Sequence, residues 1–110
     1  MGYDLHITRA SDWFDSLESP ITRAEWTAVA VELRLAVNGQ AGDDPLYEVV
    51  ASDGSVIPVQ WIKGRVVAYG SPHSDGAARA LARLATRLNA RLIGDDGEQY
   101  DPETGKALPA

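Results

Sequence analysis

Cysteine is absent from this chain of 110 residues. Disulfides, thiolate zinc sites and cysteine nucleophiles are therefore all excluded. Long apolar runs are missing too, because no stretch approaches the roughly 18 apolar residues that a membrane-spanning helix needs. The first residues also lack the basic region and apolar stretch of a secretory signal. These absences predict a cytoplasmic protein that does not enter a membrane.

The motifs of common enzymes are missing as well. There is no Gly-x-Ser-x-Gly, no glycine-rich phosphate loop and no His-Glu-x-x-His. His6 and His73 are the only histidines, the residues best suited to act as a base near neutral pH. We therefore assign no catalytic residue, metal ligand or cofactor. A small enzyme that works with carboxylates and His6 is the alternative.

The composition is that of an ordinary globular protein, with 45% hydrophobic and 24% charged residues. A chain of this length has room for one hydrophobic core and not for two. We therefore expect residues 1–110 to form a single domain.

Two amphipathic helices are expected. Thr22 and Glu25 have the spacing of a capping box and predict a helix over residues 23–33. A second apolar stripe predicts a helix over residues 76–89, beginning after a Ser or Asp N-cap and ending at Asn89, a residue suited to a left-handed cap.

The remaining regular segments indicate strands. The first alternates apolar and polar residues, as a half-buried strand does, and Asp53-Gly54 and Lys63-Gly64 are typical of tight hairpin turns. The expected strands are 3–9, a short one at Leu35 and Val37, and then 46–52, 55–62, 65–70 and 90–93. They predict an α+β fold: a mainly antiparallel sheet of four to six strands, with both helices packed on it.

Proline and glycine indicate where regular structure ends or weakens. Residues 38–45 are rich in Asn, Gly, Asp and Pro and predict an end to regular structure. Pro58 lacks the amide that an interior strand uses, which predicts that its strand is in part an edge. Residues 101–106 are typical of a turn or a frayed tail.

Charge is unevenly distributed. The net charge of −6 divides into −7 over residues 1–60, +5 over residues 61–93 and −4 over residues 94–110. The acidic excess disfavours nucleic acid and anionic membranes and favours a basic protein partner. Arg79, Arg83 and Arg87 form a basic stripe along the second helix. Such a stripe can bind phosphate or an acidic partner, but we interpret it as a solvated face neutralised by the chain's own carboxylates.

Two acidic segments are candidates for function. The loop after the first strand mixes Trp13 with acids, a composition typical of interaction hot spots and equally of a loop anchored by a buried tryptophan. A second cluster comprises Asp95, Asp96, Glu98, Asp101 and Glu103. Its spacing does not match an EF-hand, so a solvated turn is preferred to a calcium site.

Three segments resemble a group of small bacterial proteins, many of them actinobacterial. These are Tyr-Asp-Leu-His-Ile-Thr-Arg-Ala at 3–10 with Asp12-Trp13, the helix start within 20–26, and Gly-Asp-Asp-Gly-Glu-Gln-Tyr at 94–100. The resemblance implies membership of that group and brings no biochemical role with it. In size, charge and architecture the chain is also similar to the immunity proteins of bacterial toxin systems.

The second resemblance implies a protein-binding role in which an acidic, aromatic surface occludes a partner's basic cleft. The residues expected to form it are Asp12, Trp13, Asp15, Asp95, Asp96 and Glu98. They meet only if the first strand lies beside the strand over residues 90–93. A structural homo-oligomer is a third interpretation.

Overall fold

The computed structural model describes residues 4–10, 12–41, 44–69 and 74–108. Within them the strands are β1 (Leu5–Thr8), β2 (Ala36–Ala41), β3 (Asp44–Val50), β4 (Val56–Ile62), β5 (Arg65–Ala68) and β6 (Arg91–Gly94). The helices are α1 (Arg23–Glu32) and α2 (Asp75–Arg87). One turn of 3-10 helix, Trp13–Asp15, lies between β1 and α1. This is the predicted α+β fold. Tyr3, Gly70 and His73 lie outside the described residues.

The strands form one sheet in the order β2-β3-β4-β5-β1-β6, and every neighbouring pair is antiparallel. The predicted hairpins β3-β4 and β4-β5 are both present. β1 lies between β5 and β6, so that His6 stands opposite Val67 on one side and Ile93 on the other. The first and last strands are therefore neighbours.

The capping box of α1 is confirmed. The Thr22 hydroxyl accepts a hydrogen bond from the Glu25 amide, and the Glu25 carboxylate accepts one from the Thr22 amide. Ile21 and Trp26, on either side of this cap, are both buried. The Trp26 ring meets Tyr47 of β3 edge-on at 5.6 Å between centroids. Cap and packing together fix where α1 begins and which face it buries.

The limits of α2 also follow from its caps. Ser74 accepts a hydrogen bond from the Ala77 amide, and Asn89 adopts the expected left-handed conformation with φ of 54° after the last turn. The buried stripe of α2 packs on β1, β3 and β6. It joins α1 and one face of the sheet in a single core. None of the described helices has the length and apolar character to cross a membrane.

One sheet prediction is wrong. Residues 38–41 do not end regular structure but continue β2, with the register shifting between Val37 and Gln40 around Gly39, where φ is 102°. Residues 42 and 43 lie outside the described residues. The prediction that the strand of Pro58 is in part an edge is confirmed, because β4 lies between β3 and β5 but its pairing with β5 begins only at Val59. The Pro58 carbonyl accepts from the Tyr69 amide, just beyond β5, so the missing N–H falls where the β4-β5 ladder has ended.

The segment after β6 is packed and not frayed. It returns along β6, with the Tyr100 amide donating to the Leu92 carbonyl and the Leu108 amide to the Gln99 carbonyl. Gly105 is buried against the first turn of α2, where a Cβ would meet the Asp75 backbone. Glycine allows this close approach, and φ of 77° at the same residue also favours it.

Candidate functional site

Both faces of β1 are buried. Leu5 and Ile7 enter the core beneath the helices, as the alternating pattern predicts. The polar side is not solvated, however, since His6 is 3% exposed and Thr8 is fully buried. The expectation of a half-buried strand is therefore wrong for the face opposite the helices, which we call the second face.

Trp13 lies on the second face and stacks on His6. The two rings are almost parallel, 7° apart, with centroids separated by 4.3 Å. The Trp13 indole N–H also donates to the main-chain carbonyl of Asp95, at 3.2 Å. One side chain thus joins the loop after β1 to the turn after β6.

Asp95 is held from within the protein. Its Oδ1 accepts from His6 Nε2 at 2.7 Å and its Oδ2 from the Asp4 amide at 2.9 Å. Partial burial works to raise the pKa of this carboxyl, but those two hydrogen bonds outweigh it and hold the pKa below its ordinary value. Asp95 is therefore an ionised carboxylate that positions its turn.

Arg65, on β5, completes the cluster. Its Nε donates to His6 Nδ1 at 3.3 Å, and its guanidinium carbon lies 5.3 Å from the Trp13 ring centroid. Its Nη1 is 3.5 Å from Ser16 Oγ, whose hydroxyl donates to the Lys63 carbonyl at 2.8 Å. Arg65 therefore connects the loop after β1 to β5 and its turn.

These contacts define the state of the His6 ring. An arginine can only donate, so Nδ1 must accept and the proton of the neutral ring resides on Nε2, where it is donated to Asp95. Burial lowers the pKa of His6, the hydrogen bond to Asp95 opposes this, and Arg65 lowers it further. Both nitrogens are engaged beneath Trp13. This arrangement leaves the ring without a free nitrogen to act as a base on a substrate.

The six residues predicted to bind a partner fall into two adjoining groups, one before α1 and one after β6. Asp12 and Asp96 are exposed, whereas Trp13, Asp15, Asp95 and Glu98 are half-buried. The Trp13–Asp95 hydrogen bond brings the groups together. We call this set (Asp12, Trp13, Asp15, Asp95, Asp96 and Glu98) the acid–tryptophan surface.

Three residues that support this surface, His6, Arg65 and the amide of Asp4, were not predicted to belong to it. Alternation in β1 placed His6 opposite the core but gave no indication that a loop covers it. Arg65 reaches His6 because His6 pairs with Val67, two residues along β5 on the same face. That register is a property of the folded sheet and cannot be inferred from a single sequence.

The second acidic cluster does not converge on one point. Asp95 holds His6, whereas the Asp101 carboxylate accepts from the Glu103 amide within its own turn. Within the described part of the chain, no three His, Asp or Glu side chains are grouped so as to hold a metal ion.

Comparison with known proteins gives no relative from which a role could be transferred. No protein-family model, no curated protein and no solved structure matches the chain.

Proposed function

We propose that this chain is a cytoplasmic protein-binding module that covers a basic surface of its partner with the acid–tryptophan surface, as immunity proteins of bacterial toxin systems do. The observation that carries the proposal is the hydrogen bond from Trp13 to the Asp95 carbonyl. It joins two acidic loops, separated by most of the chain, into one surface.

The rigidity of that surface supports a binding role. Trp13 is fixed by its hydrogen bond, its stack on His6 and the guanidinium of Arg65, yet it retains some exposed area. An aromatic side chain that is already ordered loses little conformational entropy when a partner covers it. Tryptophan is also among the residues that contribute most at protein interfaces.

The charge of the surface supports a basic partner. Asp12 is exposed, and no described side chain forms an ion pair with Asp12 or Asp15. The two parts of the sequence that contain this surface, residues 1–60 and 94–110, carry net charges of −7 and −4. Such a field accelerates the encounter with a cationic surface and makes it sensitive to salt. Arg65 offsets part of this charge, but it is half-buried against His6 and Trp13.

The alternative of a His6-dependent enzyme has less support, because both His6 nitrogens are engaged and the ring lies beneath Trp13. A homo-oligomer has no comparable observation in its favour, since an acidic surface repels its own copy.

Capture from lysate of the organism that encodes the chain tests the proposal. The tagged protein and the variant Asp12→Lys/Asp96→Lys are compared, and proteins retained in stoichiometric amount are identified by mass spectrometry. We expect one basic protein that the wild type retains, that salt releases and that the variant fails to retain.

Glu103→Lys is the matched control, because it reverses an exposed acid of the tail that belongs to no ion pair among the described residues. Retention of the partner by this control and its loss from the double variant would support the acid–tryptophan surface. Equal retention by all three proteins would place the binding elsewhere and reject the proposal.

A further inference from the structure

A groove of about 330 Å³ lies on the helix side of the molecule, remote from the acid–tryptophan surface. α2 forms one wall, the end of β3 the other, and the segment after α1 closes it. Its volume lies at the lower end of the range of small-molecule sites, about 300–1,000 Å³. We call it the arginine groove, after Arg79, Arg83 and Arg87 along its α2 wall.

The floor of the groove is apolar. Val49 and Leu84 are buried where they line it, and Leu35 and Ala80 are half-buried. The apolar lining residues that face water are Leu33 and Val50, which are 41% and 65% exposed. Apolar side chains left facing water in a concave site gain free energy when an apolar ligand covers them. The floor therefore suits a hydrocarbon group.

The three arginines of the wall are not equivalent. Arg87 forms an ion pair with Glu32 of α1. Arg79 and Arg83 form none with any described residue, and each contacts a neutral oxygen at 3.4 Å: the Ser52 hydroxyl for Arg79 and the Pro102 carbonyl for Arg83. The expectation that the chain's own carboxylates neutralise this stripe thus fails for two of its three members.

Arg79 and Arg83 are well placed to receive one anion. Residues four apart on a helix lie about 6 Å apart along its axis and on the same face. Hydrogen bonds of 3.4 Å are at the weak end of the range, so both guanidiniums keep donors for a stronger acceptor. A carboxylate matches the planar fork of arginine and would relieve the repulsion between the two cations.

We propose that the arginine groove binds a small amphipathic carboxylate, with its carboxylate at Arg79 and Arg83 and its hydrocarbon chain on the apolar floor. A free phosphate or sulfate would leave the floor uncovered. A nucleic acid strand would meet the predominantly acidic surface beyond the groove. The volume also suits a small molecule better than an acidic helix of a second protein.

Calorimetric titration with decanoate tests this inference, with acetate and decanol as the probes that lack the hydrocarbon chain and the charge, respectively. We expect saturable binding of decanoate to the wild type, and binding at least about tenfold weaker for acetate, for decanol and for the variant Arg79→Gln/Arg83→Gln. Arg91→Gln is the matched control and should change the affinity less than about threefold, because this exposed arginine of β6 does not line the groove.

Several outcomes would overturn the inference. They are the absence of saturable decanoate binding to the folded wild type, equal affinity in the double variant, and equal affinity for decanol. Tighter binding of an acidic helical peptide than of decanoate would assign the groove to a protein partner. Asp12→Lys/Asp96→Lys should bind decanoate as the wild type does, which separates this test from that of the proposed function.

Discussion

Trp13 and His6 stack face to face at 4.3 Å on the side of the sheet opposite α1 and α2. This pair explains how a polar β1 residue comes to be buried and why the loop after β1 keeps a fixed position. It also places an indole beside the acidic turn that follows β6. The proposed binding surface depends on this pair, so its energetics can be tested before any partner is known.

Replacement of Trp13 separates its hydrogen bond to Asp95 from the contacts of its ring with His6 and Arg65. Trp13→Phe keeps an aromatic ring over His6 and loses the hydrogen bond to Asp95, so we expect a loss of about 1 kcal/mol in the free energy of unfolding. Trp13→Ala loses the stack as well, and we expect a loss of about 2–4 kcal/mol. Urea denaturation measures both. Equal stability of Trp13→Ala and the wild type would show that the loop does not need this anchor.

Acid should weaken the His6 cluster. The folded protein holds the pKa of His6 below 6.5, chiefly by burial, whereas the unfolded chain takes up a proton near 6.5. The stabilisation from neutral His6 is therefore complete above about pH 6.5 and is lost as the pH falls through the folded pKa. The urea midpoint of the wild type should fall between about pH 7.5 and about pH 5.

His6→Gln is the comparison for this pH dependence. It retains His73 and every carboxylate, so the difference between the two pH profiles isolates His6. Hydrogen bonds from Arg9 to Glu25 and from Ser74 to Asp53 lower each pKa to about 2, so the stability that these carboxylates add is lost below about pH 5 and equally in both proteins. Parallel profiles for wild type and variant would contradict the assignment of a neutral, buried His6.

Gly105 and Gly97 form a matched pair of glycines with positive φ. At Gly105 a Cβ would meet the Asp75 backbone and lie 3.0 Å from the Arg79 amide, whereas at Gly97 it would meet no atom within 4 Å. Gly97→Ala should cost about 1 kcal/mol, from backbone strain alone. Gly105→Ala should cost at least about 1 kcal/mol more, because the tail must move away from α2.

Thermal denaturation of the two glycine variants checks this difference. Hydrogen exchange of the Leu108 amide, which is bonded to the Gln99 carbonyl, reports on the tail itself and should accelerate only in Gly105→Ala. Equal stability of the two variants would mean that the segment after β6 does not pack on α2.

The capping box of α1 provides a prediction about local stability. Thr22→Ala removes the acceptor of the Glu25 amide, and we expect a loss of about 1 kcal/mol in the free energy of unfolding. Thr22→Ser keeps the acceptor and should lie within about 0.5 kcal/mol of the wild type. If serine were as destabilising as alanine, the loss would come from the methyl group and not from the cap.

Local signals predicted much of the fold. The Thr22–Glu25 spacing, the Asn89 cap and the two Gly-containing turns each encode a structure within a few residues, and all are present. The prediction for residues 38–41, 44 and 45 was wrong because pairing between β2 and β3, a contact that a local pattern does not record, outweighs the turn-forming residues there. The partial edge at Pro58 was predicted from the missing amide of proline, and it is present because β5 ends at Ala68.

Part of the candidate site could be predicted from the sequence and part could not. Composition singled out Trp13 and its neighbouring acids, and the neighbouring positions of β1 and β6 brought them to Asp95. Arg65 and the burial of His6 depend on the β1-β5 register and on a loop folding over the sheet. Both depend on contacts between residues far apart in the chain, so a local sequence pattern could not predict them.

Site-specific photo-crosslinking tests the central claim most directly. A photoreactive residue is placed at Leu17, in the loop of Trp13, or at Val31 of α1, which are 69% and 68% exposed and therefore equally accessible. Neither replacement removes a charge. With the partner obtained by capture, we predict crosslinks from position 17 and none from position 31. Crosslinks from position 31 alone, or equally from both, would contradict binding through the acid–tryptophan surface.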